Sequence, residues 1–205
     1  MIPNIIVDNF FSNPDKIRDI ALSLDYNIDN QNYPGQRAKV PDSIAQQIQE
    51  KILSLIIDLQ DQAIKWTTNL HFQKISKDYK GGWIHRDDHS LITCIIYLSP
   101  ESLACEGTSL YKLKNNRLLH DDTIRLRSFK NKYSSDEDEI ARHTWNSQFE
   151  EVLKVDNVYN RLFMFYGKQW HGVPKYNSNR LTLTYFVHGL ECKSLPIPRK
   201  DSYNL

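Results

Sequence analysis

The sequence predicts one α+β domain, in which amphipathic helices at the amino terminus support a β sandwich or barrel. The chain has 205 residues, a length that suits a single domain. Apolar residues recur at helical spacing within residues 1–65, whereas short β-branched and aromatic runs separated by turns follow within residues 66–190. No helical pattern is evident between those runs, which argues against an alternating βαβ array.

The composition disfavours several classes of function. The 26 Lys and Arg residues balance 25 Asp and Glu residues, so the strongly basic face of a dedicated nucleic-acid binder is not expected, although a local basic groove is not excluded. No apolar run approaches the roughly 20 residues of a membrane span. The first residues lack the basic start of a secretory signal. Three widely spaced cysteines fit neither a disulfide framework nor a zinc knuckle, so we expect a cytoplasmic protein.

Two helices are predicted within residues 1–65. The first has Ser12 as its N-cap and Pro14 in its first turn, and the second begins at Asp42 or Ser43. Each presents one apolar face, formed by Ile17, Ile20, Ala21 and Leu24 in the first helix and by Ile44, Ile48, Ile52, Leu55 and Ile56 in the second. These faces are expected to pack on another layer of the domain.

Five strands are predicted, at residues 66–75, 91–98, 108–113, 161–166 and 181–187. The second is continuously β-branched or aromatic, which indicates a buried strand. A polar insertion at 115–157 separates the third strand from the fourth. A long segment of this kind is either a lid over a site or a solvated surface loop.

Two His-x-Asp patterns are candidates for metal binding, at His85 and Asp87 and at His120 and Asp122. On a strand, residues i and i+2 lie on one face about 6.6 Å apart, so an imidazole and a carboxylate can converge on one ion. Context favours the first pair, because a strong strand follows it, whereas the second pair lies in the polar insertion. His171 is the best third ligand, since two histidines and one carboxylate leave positions open on an octahedral iron.

Arg180 follows His171 by nine residues, at the start of the last predicted strand. Residues 177–179 read as a turn between them. If the strands on either side of this turn pair with each other, Arg180 lies beside the metal site. A guanidinium there can bind a carboxylate through two hydrogen bonds. An isolated arginine would more simply form a surface salt bridge.

Five motifs occur in order outside the insertion: GWIHRD at 82–87, TCIIYL at 93–98, GTSLY at 107–111, NRLFMF at 160–165, and His171 with Arg180. The opening VDNFFSNP at 7–14 precedes them. In order and spacing, these pieces resemble the Fe(II)- and 2-oxoglutarate-dependent dioxygenases, particularly the prolyl-hydroxylase-like branch. The resemblance spans residues 79–187.

The resemblance implies a double-stranded β-helix, or jelly roll, with supporting N-terminal helices. It implies that His85, Asp87 and His171 bind Fe(II). It also implies that Arg180 and Tyr97 bind the distal carboxylate of 2-oxoglutarate. Thr93, four residues before Tyr97, would share its strand face and line the same pocket.

The implied activity is a hydroxylation that uses dioxygen and 2-oxoglutarate. The branch points to a prolyl residue of a peptide, while free amino acids, other small molecules and nucleobases stay open because loops supply the substrate contacts. Residues 33–37, Trp83 and Trp170 are candidates for the entrance. Two alternatives are a non-catalytic binding module and a cupin-type zinc or manganese site. Arg180 and Tyr97 argue against the cupin-type site, since they need a carboxylate co-substrate to explain them.

Overall fold

The computed structural model describes residues 2–27, 33–59, 64–79, 81–114, 136–173 and 175–192. Within these ranges the chain forms three α-helices: α1 (Pro14–Ser23), α2 (Asp42–Leu53) and α3 (Asp136–Asn146). The strands are β1 (Ile5–Val7), β2 (Gln36–Lys39), β3 (Lys65–Ile75), β4 (Ile92–Tyr97), β5 (Thr108–Leu113), β6 (Phe149–Val155), β7 (Leu162–Tyr166), β8 (His171–Gly172) and β9 (Arg180–Glu191). No helix in the described ranges is long and apolar enough to cross a membrane.

The strands form two antiparallel sheets. The larger sheet has six strands in the order β1-β7-β4-β9-β3-β2, and the smaller has three in the order β6-β5-β8. Every strand pair in both sheets is antiparallel. The α+β class and the predominance of turn-connected strands are therefore as the sequence predicts.

The side chains of strand β9 show what each face of the larger sheet contacts. Successive side chains of a strand point to opposite faces, and in β9 the apolar residues Leu181, Leu183, Tyr185 and Val187 alternate with Arg180, Thr182, Thr184 and Phe186. The first set joins the main hydrophobic core, to which α1 and α2 contribute Ala21, Ile48, Ile52 and Leu53. The second set faces the other way, toward the candidate site.

A second hydrophobic cluster joins the two sheets. It contains Ile95 and Tyr97 of β4, Phe163 and Phe165 of β7, Leu110 of β5 and Val155 of β6. Because these side chains come from both sheets and are buried, the smaller sheet packs on the face of the larger sheet opposite to the helices.

Both predicted helices and all five predicted strands are present. The N-cap of α1 is Asn13 rather than Ser12, since the Asn13 side chain accepts a hydrogen bond from the Lys16 amide at 3.1 Å. The last strand, β9, continues to Glu191, beyond the predicted end at 187. Strands β1, β2 and β8 were not predicted, because segments of two to four residues are too short to show an alternating pattern.

The predicted polar insertion at 115–157 is regular in its second half, where α3 and β6 lie. His120 and Asp122 fall outside the described residues. Strand β6 pairs with β5 from Val155 to Phe149 and so belongs to the smaller sheet. The sequence does not predict β6, because its residues are mostly polar and Phe149 and Val155 are its only buried positions.

The predicted pairing across residues 177–179 is wrong. Strand β8 pairs with β5, whereas β9 pairs with β3 and β4, so the chain crosses from one sheet to the other between them. The buried carboxylate of Glu106 fixes this crossing by accepting hydrogen bonds from the Asn177 amide and the Ser178 hydroxyl. Arg180 thus enters the site from the opposite sheet to His171.

Asn160 ties the amino-terminal segment to the larger sheet. Its side chain is buried, accepts a hydrogen bond from the Phe11 amide and donates one to the Phe11 carbonyl, both at 2.8 Å. Its backbone amide donates to the carbonyl of Tyr97 at 2.8 Å. Its φ of 61° is left-handed, a conformation that asparagine tolerates better than most residues.

We expect Asn160→Ala to lower the free energy of unfolding by about 2–5 kcal/mol, because it leaves two buried backbone groups of Phe11 without partners. Asn160→Gly loses the same hydrogen bonds without the left-handed strain, so it should be less destabilised by about 1 kcal/mol. Urea denaturation of the three proteins measures both differences. An alanine variant as stable as the parent would contradict this role.

Candidate metal centre

Three side chains converge at one end of the gap between the sheets. A ligand atom from each of His85, Asp87 and His171 lies within 4.8 Å of the other two. The Asp87 carboxylate is 3.8 Å from Nε2 of His85 and 3.4 Å from Nε2 of His171. The His171 side chain is 5% exposed, whereas those of His85 and Asp87 are 27% and 19% exposed, so the group is open on one side.

The main chain sets the spacing of the three ligands. His85 and His171 exchange two backbone hydrogen bonds, each of 2.9 Å, and form an isolated bridge. The Asp87 amide donates to the Gly167 carbonyl at 2.8 Å. Sequence reasoning expected His85 and Asp87 to share a strand face, but only this single bridge is present. The two segments are nevertheless held in register by reciprocal hydrogen bonds.

Both imidazoles are oriented by backbone carbonyls. Nδ1 of His85 lies 2.8 Å from the Trp83 carbonyl, and Nδ1 of His171 lies 2.8 Å from the Gln169 carbonyl. A carbonyl only accepts hydrogen bonds, so each Nδ1 carries a proton, and in the neutral form of each ring the lone pair is on Nε2. This is the tautomer of a metal-binding histidine whose other nitrogen is fixed by an outer partner.

Asp87 is held as a carboxylate. Burial raises the pKa of its carboxyl group, but the imidazoles of His171 and His85 and the hydrogen bond from Thr93 outweigh burial, and the pKa falls well below its usual range. The Thr93 hydroxyl donates to Oδ2 at 2.7 Å. Asp87 therefore offers a negatively charged oxygen between the Nε2 atoms of the two imidazoles, a donor set suited to a divalent cation.

Helix α3 clamps the segment that precedes His85. The Trp145 indole donates to the Ile84 carbonyl at 2.7 Å. The Asn146 amide group accepts from the Ile84 amide and donates to the Gly82 carbonyl, both at 3.0 Å. Gly82 also lies so close to the residue after β8 that a Cβ on it would be 2.6 Å from the carbonyl oxygen of Val173. The predicted insertion thus supplies a structural support for the ligand segment.

The candidate ligands line a pocket that opens to solvent. Arg180 lies in this pocket and is only 4% exposed. Its Nη2 donates to the Thr108 hydroxyl at 3.3 Å, while its buried Nε has no hydrogen-bond partner in the described structure. The Arg180 guanidinium carbon lies 5.3 Å from the ring of Tyr97 and 6.0 Å from that of Tyr176.

The structure places the remaining predicted site residues differently. Thr93 lines the pocket, but its hydroxyl is engaged by Asp87. Tyr97 is fully buried beneath Arg180, and its hydroxyl donates to Thr108 at 3.0 Å. Burial raises the pKa of Tyr97, so its hydroxyl stays protonated at neutral pH. Tyr97 therefore supports Arg180 and Thr108 from behind rather than lining the pocket.

Sequence reasoning missed two pocket residues near Arg180. Thr108 begins β5 and Tyr176 lies just before β9, and both line the pocket. Thr108 lies in the motif at 107–111 but was given no role, and Tyr176 belongs to no motif, since their positions in the site depend on how the two sheets face each other. Of the predicted entrance residues, Tyr33, Pro34, Arg37 and Trp83 do line the pocket. The Trp170 ring instead packs on Trp145 and Phe149.

The chain belongs to a family of unknown function, DUF6445, whose model matches residues 2–184. No curated protein matches the sequence significantly. Solved structures do match, and three of them represent the similarity.

The first is a prolyl hydroxylase from Trichoplax adhaerens in complex with a hypoxia inducible factor peptide, at 15% identity and a TM-score of 0.54 over 90% of this chain and 83% of that chain. The second is HygX from Streptomyces hygroscopicus with nickel and 2-oxoglutarate bound, at 14% identity and a TM-score of 0.55 over 90% and 82%. The third is a Pseudomonas putida prolyl-4-hydroxylase, at 13% identity and a TM-score of 0.52 over 90% and 91%. The resemblance predicted from the sequence is thus confirmed at the level of the fold.

We expect Thr93→Val to weaken divalent-metal binding by about 10–100-fold, because it removes the hydrogen bond that orients Asp87 while keeping the shape of the side chain. Thr93→Ser retains the hydroxyl and should bind metal nearly as the parent does. Co(II) titration followed by absorbance, without any 2-oxoglutarate, measures the affinity. Equal affinities for the valine and serine variants would show that this hydrogen bond does not orient the ligand.

Proposed function

We propose that this member of the DUF6445 family is an Fe(II)- and 2-oxoglutarate-dependent dioxygenase that hydroxylates an organic substrate. The observation that supports this most directly is the convergence of His85, Asp87 and His171 in one pocket with the buried cation Arg180. We further assign the two facing sheets to a double-stranded β-helix.

The three candidate ligands fit a non-haem iron. Two neutral imidazole nitrogens and one carboxylate oxygen make the donor set of the two-histidine, one-carboxylate centre, which leaves other positions free for co-substrates. The histidine rings already present Nε2, because backbone carbonyls bind their Nδ1 atoms. Little rearrangement of these side chains would be needed to bind an ion.

Arg180 fits the distal carboxylate of 2-oxoglutarate. A buried guanidinium with an unpaired N–H is unfavourable unless an anion or another acceptor completes its hydrogen bonds. The Thr108 hydroxyl accepts from both Arg180 and Tyr97, so its own proton is free to be donated to the same carboxylate. Arg180 and Thr108 would bind that group directly, and Tyr97 would position them.

When bound, iron and 2-oxoglutarate would supply the oxidative chemistry, in which 2-oxoglutarate loses carbon dioxide to give succinate, one atom of dioxygen enters succinate and the other enters the substrate as a hydroxyl group. The chain supplies binding and orientation. Asp87 compensates the charge of the metal, and Arg180 fixes the far end of the co-substrate. Phe186 and Ile95 form apolar parts of the pocket wall that limit the water around the reacting groups.

A prolyl residue of a peptide is the first substrate candidate. The fold is shared with prolyl hydroxylases, one of which is complexed with a peptide. A fold hosts many substrates, so this proposal rests on analogy and the substrate must be found by experiment. The alternatives, a non-catalytic module and a cupin-type metal site without 2-oxoglutarate, make different predictions for the assays below.

We expect Asp87→Ala to abolish the conversion of 2-oxoglutarate to succinate and to lower Fe(II) retention, because it removes the carboxylate from the three candidate ligands. Asp88→Ala is the matched control, since Asp88 is the next residue and pairs with Arg86 on the surface. Succinate is measured under air with Fe(II) and ascorbate, and bound iron is measured separately. Unchanged turnover by iron-loaded Asp87→Ala protein would refute the assignment.

The same assay separates the alternatives on the parent protein. A binding module would produce no succinate and show no thermal shift that depends on 2-oxoglutarate. A cupin-type site would bind metal, and 2-oxoglutarate would add no further stabilisation. The proposed dioxygenase should show a thermal shift on binding metal, a further thermal shift on adding 2-oxoglutarate, and slow production of succinate without substrate.

We expect Arg180→Lys to raise the KM for 2-oxoglutarate by about tenfold or more, because lysine keeps the charge but loses the two-pronged hydrogen-bond geometry. Arg180→Met should raise it further, while Co(II) affinity in the absence of 2-oxoglutarate stays unchanged in both. Arg18→Met, on α1, is the control for loss of a positive charge. An unaltered KM in both Arg180 variants would remove Arg180 from the co-substrate site.

A further inference from the structure

Arg37 is the second arginine of the pocket, and it comes from a different strand from Arg180. It lies on β2, the edge strand of the larger sheet, directly opposite Gln73 of β3. Gln73 in turn lies opposite Thr182 of β9. Directly opposed residues share a sheet face, so Arg37 projects from the same polar face as Arg180 and lines the same pocket.

The two guanidinium groups lie in different surroundings. Arg180 is next to Thr108, Tyr97 and Tyr176, as described above. The Arg37 guanidinium carbon is 3.9 Å from the centre of the Tyr33 ring and 5.3 Å from that of Phe186.

Phe186 marks the metal end of the pocket, because it pairs with Thr93, whose hydroxyl binds Asp87. The Arg37 guanidinium lies at this end, against Phe186, whereas the Arg180 guanidinium contacts Thr108. A co-substrate carboxylate bound at Arg180 therefore leaves the role of Arg37 unexplained.

Within the described residues, Arg37 is a cation without an anionic partner. No carboxylate in the described ranges forms an ion pair with it, and its buried Nε has no hydrogen-bond partner there. Burial lowers the pKa of the guanidinium to about 10, which leaves it charged at neutral pH. His71, which lies on the same sheet face, has its pKa lowered by burial and by Arg37, so it is a neutral neighbour. The negative charge of Asp87 acts to raise the pKa of Arg37, but the Asp87 carboxylate already interacts with Thr93 and the two histidines.

Stacking on Tyr33 pre-organises the guanidinium. A planar group held against an aromatic face loses rotational freedom but keeps its N–H edge available for a carboxylate. An anionic group at this edge would compensate the partly buried charge and complete the hydrogen bonds of Nε.

We infer that Arg37 anchors the substrate, and that the substrate carries a carboxylate group close to the carbon that is hydroxylated. The inference rests on the proposed function, because the bound molecule is a substrate only if the protein is a dioxygenase. The carboxylate-binding site itself is a property of the pocket. The carboxylate can belong to a free amino acid or to an acidic residue of a peptide, and the two sources are separated by the probes below.

The test is a binding measurement on full-length protein loaded with Ni(II) and saturated with 2-oxoglutarate, so that Arg180 is already occupied. Saturation-transfer NMR is recorded with a mixture of free amino acids that includes L-proline, and with the matched mixture of their carboxamides. A third mixture contains N-acetylated, C-amidated Pro-Asp, Pro-Glu, Pro-Asn and Pro-Gln dipeptides.

We expect carboxylates to bind and the matched amides to bind about tenfold more weakly or worse, because a charge-assisted hydrogen-bond pair is lost. Signals in the first mixture identify a free acid, and signals from Pro-Asp or Pro-Glu alone identify an acidic peptide. Arg37→Met should weaken carboxylate binding by about tenfold or more while leaving the thermal shift with Ni(II) and 2-oxoglutarate intact. Lys39→Met is the matched control, since Lys39 is two residues along β2, exposed, and paired with Asp42.

The inference is overturned if amides bind as well as acids, if Arg37→Met binds the carboxylates as the parent does, or if the parent binds no carboxylate of any mixture at 10 mM. Failure of the proposed function is seen separately, as the absence of any thermal shift with Ni(II) and 2-oxoglutarate before a probe is added. In that case the same mixtures are recorded on metal-free protein, where loss of carboxylate signals in Arg37→Met would still support the anion site and retention would refute it.

Discussion

The pair of backbone hydrogen bonds between His85 and His171 is the contact on which the rest of the site depends. It joins two segments that are distant in sequence and carry all three candidate ligands. The supports around it act on the same two segments. Helix α3 holds the chain before His85, and pairing of β8 with β5 holds the chain at His171. The precision of the ligand group therefore comes from main-chain geometry, and the side chains need only adopt the rotamers that the Trp83 and Gln169 carbonyls select.

Strand β9 connects this site to the stability of the domain. Its apolar residues complete the core beneath α1 and α2, and its polar residues form the wall of the pocket. A one-residue slip of β9 would exchange the two sets. The core thus fixes the register that places Arg180, Thr182 and Thr184 in the pocket. The buried carboxylate of Glu106 binds the residues just before β9 and so fixes where the strand begins. The position of Arg180, the first residue of β9, is therefore fixed as well as the register of the strand.

The sequence predicts the parts of the site that are encoded locally. The spacing of His85 and Asp87 and the separation of His171 from Arg180 are visible in one chain, and the structure brings these four residues into one pocket. The expected route to Arg180 is wrong, because β8 and β9 lie in different sheets. Arg37 was predicted only as an entrance residue, since its position depends on the pairing of a four-residue edge strand. The roles of Thr93 and Tyr97 also required the structure, because a periodic pattern shows a face but not a hydrogen-bond partner.

The support that α3 gives to His85 also bears on the order of events during synthesis. His85 and Asp87 leave the ribosome long before Trp145, Asn146 and His171, which shape and complete the site. A growing chain therefore holds only an unsupported pair of ligands, and such a pair binds divalent metal far more weakly than three fixed ligands because the missing order must be supplied on binding. If the three residues bind a metal ion as proposed, its uptake would wait until His171 has been made, and the growing chain would not hold that ion in an open, solvated form.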